Sequence, residues 1–207
     1  MNIRWLEGLS DYAATLDLQQ HLVDSHIDLP DRPDDLLLLE HGPIYTIGRI
    51  RDHSSLHESG RLPHPVFEIN RGGQATYHGP GQLVGYPIVD LNRLGRDIHL
   101  YISLLENALI AACAEHGVQA SRRDGLTGVW AGPRKLASIG VGIKKWIAMH
   151  GIAINIEPRS LPPFQSITPC GIEGVRMTCL HHEGAACTLR QFGDTFAACL
   201  QTSLETR

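Results

Sequence analysis

Arg71-Gly72-Gly73-Gln74-Ala75-Thr76-Tyr77-His78-Gly79-Pro80-Gly81-Gln82 follows directly on an alternating strand candidate, Val66 to Asn70. The segment interleaves four glycines and a proline with polar side chains. Glycines let a backbone approach a ligand closely and leave its N–H groups free as donors. A binding loop and an elaborate hairpin turn explain these residues about equally well, because a glycine-rich loop alone is weak evidence and the Walker spacing is absent.

Two further segments share this constrained character. Gly132-Pro133-Arg134-Lys135-Leu136-Ala137-Ser138-Ile139-Gly140 sets a lysine just before a strand of small residues. A lysine there is ordinarily a solvated surface group unless a thiol or an anion lies nearby. Ile167-Thr168-Pro169-Cys170-Gly171-Ile172 frames a cysteine between a residue of fixed φ and one without a side chain. Such a cysteine is either an exposed nucleophile or, as free cysteines more commonly are, a small buried apolar residue.

Around these segments the pattern is strand-rich in the middle and helical at the ends. Residues 11–24 suit a first helix. The apolar run Leu36 to Glu40 and the stretch Ile44 to Gly48 suit strands separated by a turn at Gly42-Pro43, and 50–64 reads as loop. Ile98, Ile102, Leu105, Leu109 and Ala112 recur at the helical period, predicting a helix from Asp97 to His116 that Gly117 ends. Ala137 to Ile156 predicts a hairpin turning at Met149-His150-Gly151. Thr188 and Gln191 form a capping box for a last helix with an apolar face of Leu189, Phe192, Phe196 and Leu200. This order favours α+β with a mixed sheet over a repeating βαβ array.

Composition limits the function. The 207 residues suit one domain, and 43% hydrophobic with 19% charged residues is ordinary for a globular protein. A net charge of −4 argues against a general nucleic-acid binder, which needs a basic face. The N-terminus lacks the apolar run of a signal peptide, and no stretch approaches the roughly 20 apolar residues that span a bilayer. The expectation is a protein of the cytoplasm with no membrane partner. The five cysteines, Cys113, Cys170, Cys179, Cys187 and Cys199, are odd in number and contain no C-x-x-C, as suits a reducing compartment. Cys179, His181, His182 and Cys187 match no standard zinc spacing, so no metal is expected. No G-x-S-x-G elbow is present. Of the twelve histidines, only His78 and His150 stand within glycine-rich segments.

The three constrained segments resemble the lipoate-protein octanoyltransferases. The similarity is most specific at Arg71–Gln82 and extends through Leu38-Leu39-Glu40-His41-Gly42, Gly125 to Trp130, Arg134 to Gly140, His150 to Asn155 and Pro169-Cys170-Gly171, covering about residues 35–180 in the family's order. The resemblance implies a single catalytic domain over 1–207, with an α+β fold. A mixed sheet would be flanked by helices, as in the catalytic domains of biotin and lipoate protein ligases. It implies transfer of an octanoyl group from acyl carrier protein to a lysine of lipoyl domains, those of the 2-oxoacid dehydrogenase complexes and the glycine cleavage H protein. No cofactor is implied, and the family tends to act as a monomer. Carried over by motif, Cys170 is the acyl-thioester nucleophile and Lys135 activates it. Arg71, Gly72, Gly73, Gln74, Ala75, Thr76, Tyr77, His78, Ser138, Ile139, Gly140, Gly151, Ile152 and Ala153 line the acyl site. Met149 stands where a hydroxyl-bearing or aromatic residue is the family's habit.

These residue types suit the reaction. Thioester to amide is downhill, and a cysteine relay divides it into two steps. An unassisted thiol of pKa about 8.5 is only about 3% ionised at pH 7, and a shielded ammonium nearby favours the thiolate. Backbone N–H groups in the Gly72–His78 loop or around Cys170-Gly171 could hold the developing oxyanion. Arg49, Arg51, Lys144 and Lys145 are candidates for a basic patch that meets an acidic carrier. Two rivals remain. An ATP-dependent lipoate–protein ligase of the same fold would leave Cys170 without a task. A non-catalytic module that holds the carrier or lipoyl domain would need no Cys170–Lys135 pair.

Overall fold

The computed structural model describes residues 1–48, 55–56 and 62–206. Its centre is an eight-stranded mixed sheet with strand order β1-β2-β6-β10-β9-β8-β7, and β11 beside β9. The strands are β1 (Asn2–Ser10), β2 (Asp35–His41), β6 (Gln82–Ile88), β7 (Ser121–Arg123), β8 (Leu126–Ala131), β9 (Arg134–Lys144), β10 (Ile147–Asn155) and β11 (Arg176–Met177). A smaller sheet, β4-β3-β5, is made of β3 (Ile44–Ile47), β4 (Val66–Glu68) and β5 (Thr76–His78).

The leucine run of β2 shows why both faces of the large sheet are covered. Side chains alternate across a strand. Leu36 and Leu38 join the main core with α2 (Ile98–Glu115) and α3 (Leu189–Glu205), while Leu37 and Leu39 join a second cluster against Leu18 and Leu22 of α1 (Tyr12–Asp28). All four leucines are buried. Asp11 caps α1 and Asp97 caps α2, each side chain accepting from a first-turn N–H. Thr188 and Gln191 form the expected capping box, and Phe192, Phe196 and Leu200 are buried beneath it. Among the described residues, α2 is the one helix long and apolar enough to cross a membrane, with a mean hydropathy of 1.3 over 18 residues. Here Tyr101, Leu105, Leu109 and Ala112 pack it into the protein core.

The hairpin over 137–156 is present, but it turns elsewhere than expected. Ile147 pairs with Lys144, so the turn is Lys145-Trp146, and both residues lie at positive φ, 50° and 67°. That conformation usually selects Asn-Gly. Trp146 tolerates it because its carbonyl accepts from Leu91 N at 2.8 Å and its ring receives the Arg96 guanidinium at 5.5 Å. Met149-His150-Gly151 lies inside β10 instead. Gly151 is needed there for close approach, since a Cβ would stand 2.5 Å from Gly85 O on β6. The glycine marks a close approach to the paired neighbouring strand, not a turn.

Candidate active site

The constrained segments meet at one cavity of about 320 Å³ between the two sheets and the β7–β8 turn. Its wall includes Cys170, Lys135, Arg71, Gly72, Gly73, Thr76, His78, Ser138, Ile139, Gly140, Gly151, Ile152 and Ala153. Of the residues expected at the acyl site, Gln74, Ala75 and Tyr77 stand outside this wall. Ala75 and Tyr77 point from their loop and strand into the small-sheet core with Tyr45 and Phe164. Gln74 instead lies over Gly171.

Cys170 is held by its backbone. It sits in a tight turn, Pro169–Gly171, at φ 55° and ψ 20°. Its N–H donates to Ala75 O at 2.8 Å, which ties the Cys170 turn to the glycine-rich loop. The sulfur is half-buried, and Ser138 Oγ stands 3.6 Å from it.

Lys135 is 1% exposed, far from the solvated surface residue that a lysine in a loop usually is. Strand β9 carries it inward, and Thr178 N donates to its carbonyl at 2.9 Å. Its Nζ lies 5.5 Å from the Trp130 ring centroid, and the side chain passes over Gly128. Among the described residues it makes no ion pair and no hydrogen bond through Nζ. Gly128 is itself fixed from α2: its N–H donates to Glu106 Oε1 at 3.0 Å, while Arg122 Nε donates to Glu106 Oε2 at 2.6 Å.

Arg71 is buried beside the cavity, with Nη1 donating to Gly72 O and Nη2 to the carbonyl and hydroxyl of Thr46, at 2.8–3.0 Å. Burial lowers its pKa, and the neighbouring Cys170 sulfur opposes that shift. The remaining polar wall is neutral. Burial pushes His78 down to about 3 and His150 to about 4. His78 Nδ1 donates to Gln82 Oε1 at 2.8 Å, and Gln82 Nε2 in turn donates to Tyr77 O and Asn155 Oδ1. Behind them, His41 is lowered to about 4 by burial, and its Nε2 accepts from Tyr86 Oη at 2.8 Å. Tyr12, also buried, is raised to about 12. The cavity is thus an apolar, largely uncharged pocket with a sulfur, an ammonium and a guanidinium at its wall.

Several wall residues escaped the sequence reading: Tyr12, Tyr86, Ile102, Gly125, Leu126, Thr127, Val141, His150 and Ile172. Gly125 to Trp130 and His150 carried a signal, since both lay within the resembling segments. Tyr12, Tyr86 and Ile102 carried none, being ordinary members of a helix start, a buried strand and an amphipathic helix. Met149 packs with Val23, Ile88 and Ile147, away from the cavity, so its departure from the family's habit does not touch the pocket. Of the basic-patch candidates, Lys144 pairs with Asp24 and Lys145 occupies the hairpin turn, while Arg49 and Arg51 lie outside the described residues. Among the described residues no group of three or more His, Cys, Asp or Glu is placed to hold a metal ion. His181 Nε2 donates to Cys187 O.

Comparison with known proteins places this chain in a family. Residues 11–201 match the model of the lipoyl protein ligase A/B catalytic domain. An octanoyltransferase of Geobacter metallireducens is 48% identical over 173 residues, covering 84% of this chain and 79% of the relative. A putative lipoate protein ligase from T. acidophilum, solved with bound lipoic acid, superimposes with a TM-score of 0.77 at 14% identity, over 98% of this chain and 85% of that one. The biotin protein ligase of Aquifex aeolicus, solved with biotin and ATP, gives 0.60 at 14% identity, over 99% and 70%.

Proposed function

The chain belongs to the lipoyl protein ligase A/B catalytic domain family and is an octanoyltransferase of protein lipoylation, and we propose that it carries the octanoyl group as a thioester on Cys170. The donor is octanoyl-acyl carrier protein, the acceptor is the lysine of a lipoyl domain, and the enzyme acts as a monomer in the cytoplasm. The observation that carries this reading is the shared wall: Cys170 and a buried Lys135 open onto one apolar cavity.

The sulfur attacks the donor carbonyl, and the carrier thiol leaves with a proton supplied by Lys135 Nζ. The acceptor amine then attacks the acyl-enzyme, and the same nitrogen receives the amine's proton. Arg71, fixed by three hydrogen bonds, adds positive potential beside the sulfur. The acyl chain occupies the apolar part of the cavity near Ile139, Ile152 and Ala153. Burying about seven methylenes contributes roughly 5–6 kcal/mol, opposed by the cost of ordering the chain. His78 and His150, neutral at pH 7, leave that wall without charge.

ATP dependence separates this mechanism from an adenylate-forming ligase. Transfer is expected to proceed from octanoyl-carrier protein without nucleotide and to stop in Cys170→Ala. A strict need for ATP, with activity surviving Cys170→Ala, selects the ligase.

A further inference from the structure

An acyl transfer at sulfur needs donors for the oxygen that becomes negative in the tetrahedral species. The backbone around Cys170 does not offer them. Cys170 N–H is engaged with Ala75 O at 2.8 Å, Gly171 N–H with Thr168 O at 3.0 Å, and Ile172 N–H with Pro169 O at 3.1 Å. Gly72 N–H, in the glycine-rich loop, is engaged with Val141 O at 3.0 Å.

Two side-chain hydroxyls stand where those amides do not. Ser138 Oγ is 3.6 Å from Cys170 Sγ, and that is its one side-chain hydrogen bond among the described residues. Thr76 is 4% exposed and lines the cavity, yet its Oγ1 has no hydrogen-bond partner. It follows Ala75, whose carbonyl anchors Cys170, and on β5 it pairs with Thr46 of β3, whose hydroxyl is taken by Arg71. A buried hydroxyl without a partner is costly and rare, and a ligand oxygen would satisfy it.

We propose that Ser138 Oγ and Thr76 Oγ1 form the oxyanion site for acyl transfer at Cys170. The proposal rests on the thioester reading above. When Cys170 Sγ forms its bond to the carbonyl carbon, the carbonyl π electrons move to oxygen, and both hydroxyls donate to it. No bond to serine or threonine forms. Collapse restores the carbonyl and breaks the carbon–sulfur bond to the donor thiol, which takes its proton from Lys135. Attack by the acceptor amine uses the same two donors. Ser138 gives up a long contact to a large, soft sulfur for a short one to a charged oxygen. Its interaction is therefore stronger in the transition state than in the resting enzyme, as catalysis requires.

The test compares two reactions of the same thiol. Single-turnover acylation of Cys170 by S-octanoyl pantetheine is followed by intact mass in the full chain, in Ser138→Ala, in Thr76→Val and in the double variant. Alkylation by iodoacetamide is followed in parallel from pH 6 to 10. Alkylation displaces a halide at a saturated carbon and develops no oxyanion. Each single variant is expected to acylate about 10- to 1000-fold more slowly, with alkylation at pH 10 little changed, and Thr76→Ser is expected to keep native acylation. Parallel loss of acylation and alkylation, or native acylation in the double variant, overturns the proposal. A native enzyme that is alkylated at Cys170 but never acylated overturns the thioester reading beneath it instead.

Discussion

The side chain of Gln74 lies directly over Gly171: a Cβ on that glycine would stand 1.7 Å from Gln74 Oε1. This close approach is a second link between the glycine-rich loop and the Cys170 turn, beside the hydrogen bond from Cys170 N to Ala75 O. Gly171 also sits at φ 67°. Gly171→Ala would displace the Gln74 amide and add about 1–2 kcal/mol of left-handed backbone strain. Acylation of Cys170 is expected to fall at least tenfold, with a thermal midpoint lower by roughly 2–4 °C for each kcal/mol. Native acylation kinetics in this variant would show that the turn tolerates movement.

Lys135 is buried at the cavity wall. Its charged end lies 5.5 Å from the Trp130 ring centre with no ion pair among the described residues. Lys135→Met keeps the stem and removes the charge. Single-turnover acylation should slow by about 100- to 10,000-fold. The thermal midpoint should stay level or rise, because a buried charge without an anionic partner is unfavourable. A midpoint lowered by several degrees would mean that Lys135 is a structural group.

Glu106 supports the site from a distance. Its carboxylate holds Gly128 N and Arg122, and Gly128 is the surface on which the Lys135 stem rests. Glu106→Ala leaves a buried N–H without an acceptor, a loss of about 1–3 kcal/mol. Urea unfolding should show the lower midpoint, and the Gly128 amide should exchange its hydrogen faster. Unchanged exchange there would remove Glu106 from the account.

Stability should depend on pH through the buried histidines. His78 is lowered to about 3, and His41 and His150 to about 4, all by burial. Unfolded histidines titrate near 6.5. Below that pH the unfolded chain binds protons that the folded chain refuses, so the stabilisation is complete above about 6.5 and is lost as pH falls toward 4. Each histidine contributes a slope of up to about 1.4 kcal/mol per pH unit in that window. Urea titrations at pH 7.5, 6 and 5 should show stability falling in that order. In a His78→Gln variant, the slope should be shallower. Equal stability at pH 7.5 and pH 5 contradicts this.

What sequence reveals here is local, and what it conceals is depth. The helical period of Ile102, Leu105 and Leu109 and the Thr188–Gln191 cap are encoded within one or two turns of chain, and both elements appear as expected. The hairpin turn at Lys145-Trp146 was hidden because neither residue is a turn former. Its geometry is fixed by Leu91 and Arg96, about fifty residues earlier in the chain. Gly151 misled for the converse reason, its lack of a side chain serving the close approach to Gly85 on the paired strand. Strand β1 and its parallel pairing with β2 left no mark, since it is exposed along most of its length and its exposed positions mix Ile3 and Leu9 with Asn2, Arg4 and Glu7. At the site, motif order identified Cys170, Lys135 and the glycine-rich loop as candidates. That Ala75 and Tyr77 turn away from the cavity, and that Tyr12, Tyr86 and Ile102 complete it, depends on which face of an element is covered. One segment alone does not carry that information.

The thioester on Cys170 is most directly tested by intact-mass spectrometry after incubation with octanoyl-acyl carrier protein, with no acceptor and no nucleotide. The predicted result is a gain of one octanoyl group that hydroxylamine releases, maps to Cys170 and is discharged when a lipoyl domain is added. An unmodified chain, or an octanoyl group on another residue that the lipoyl domain discharges, would contradict it.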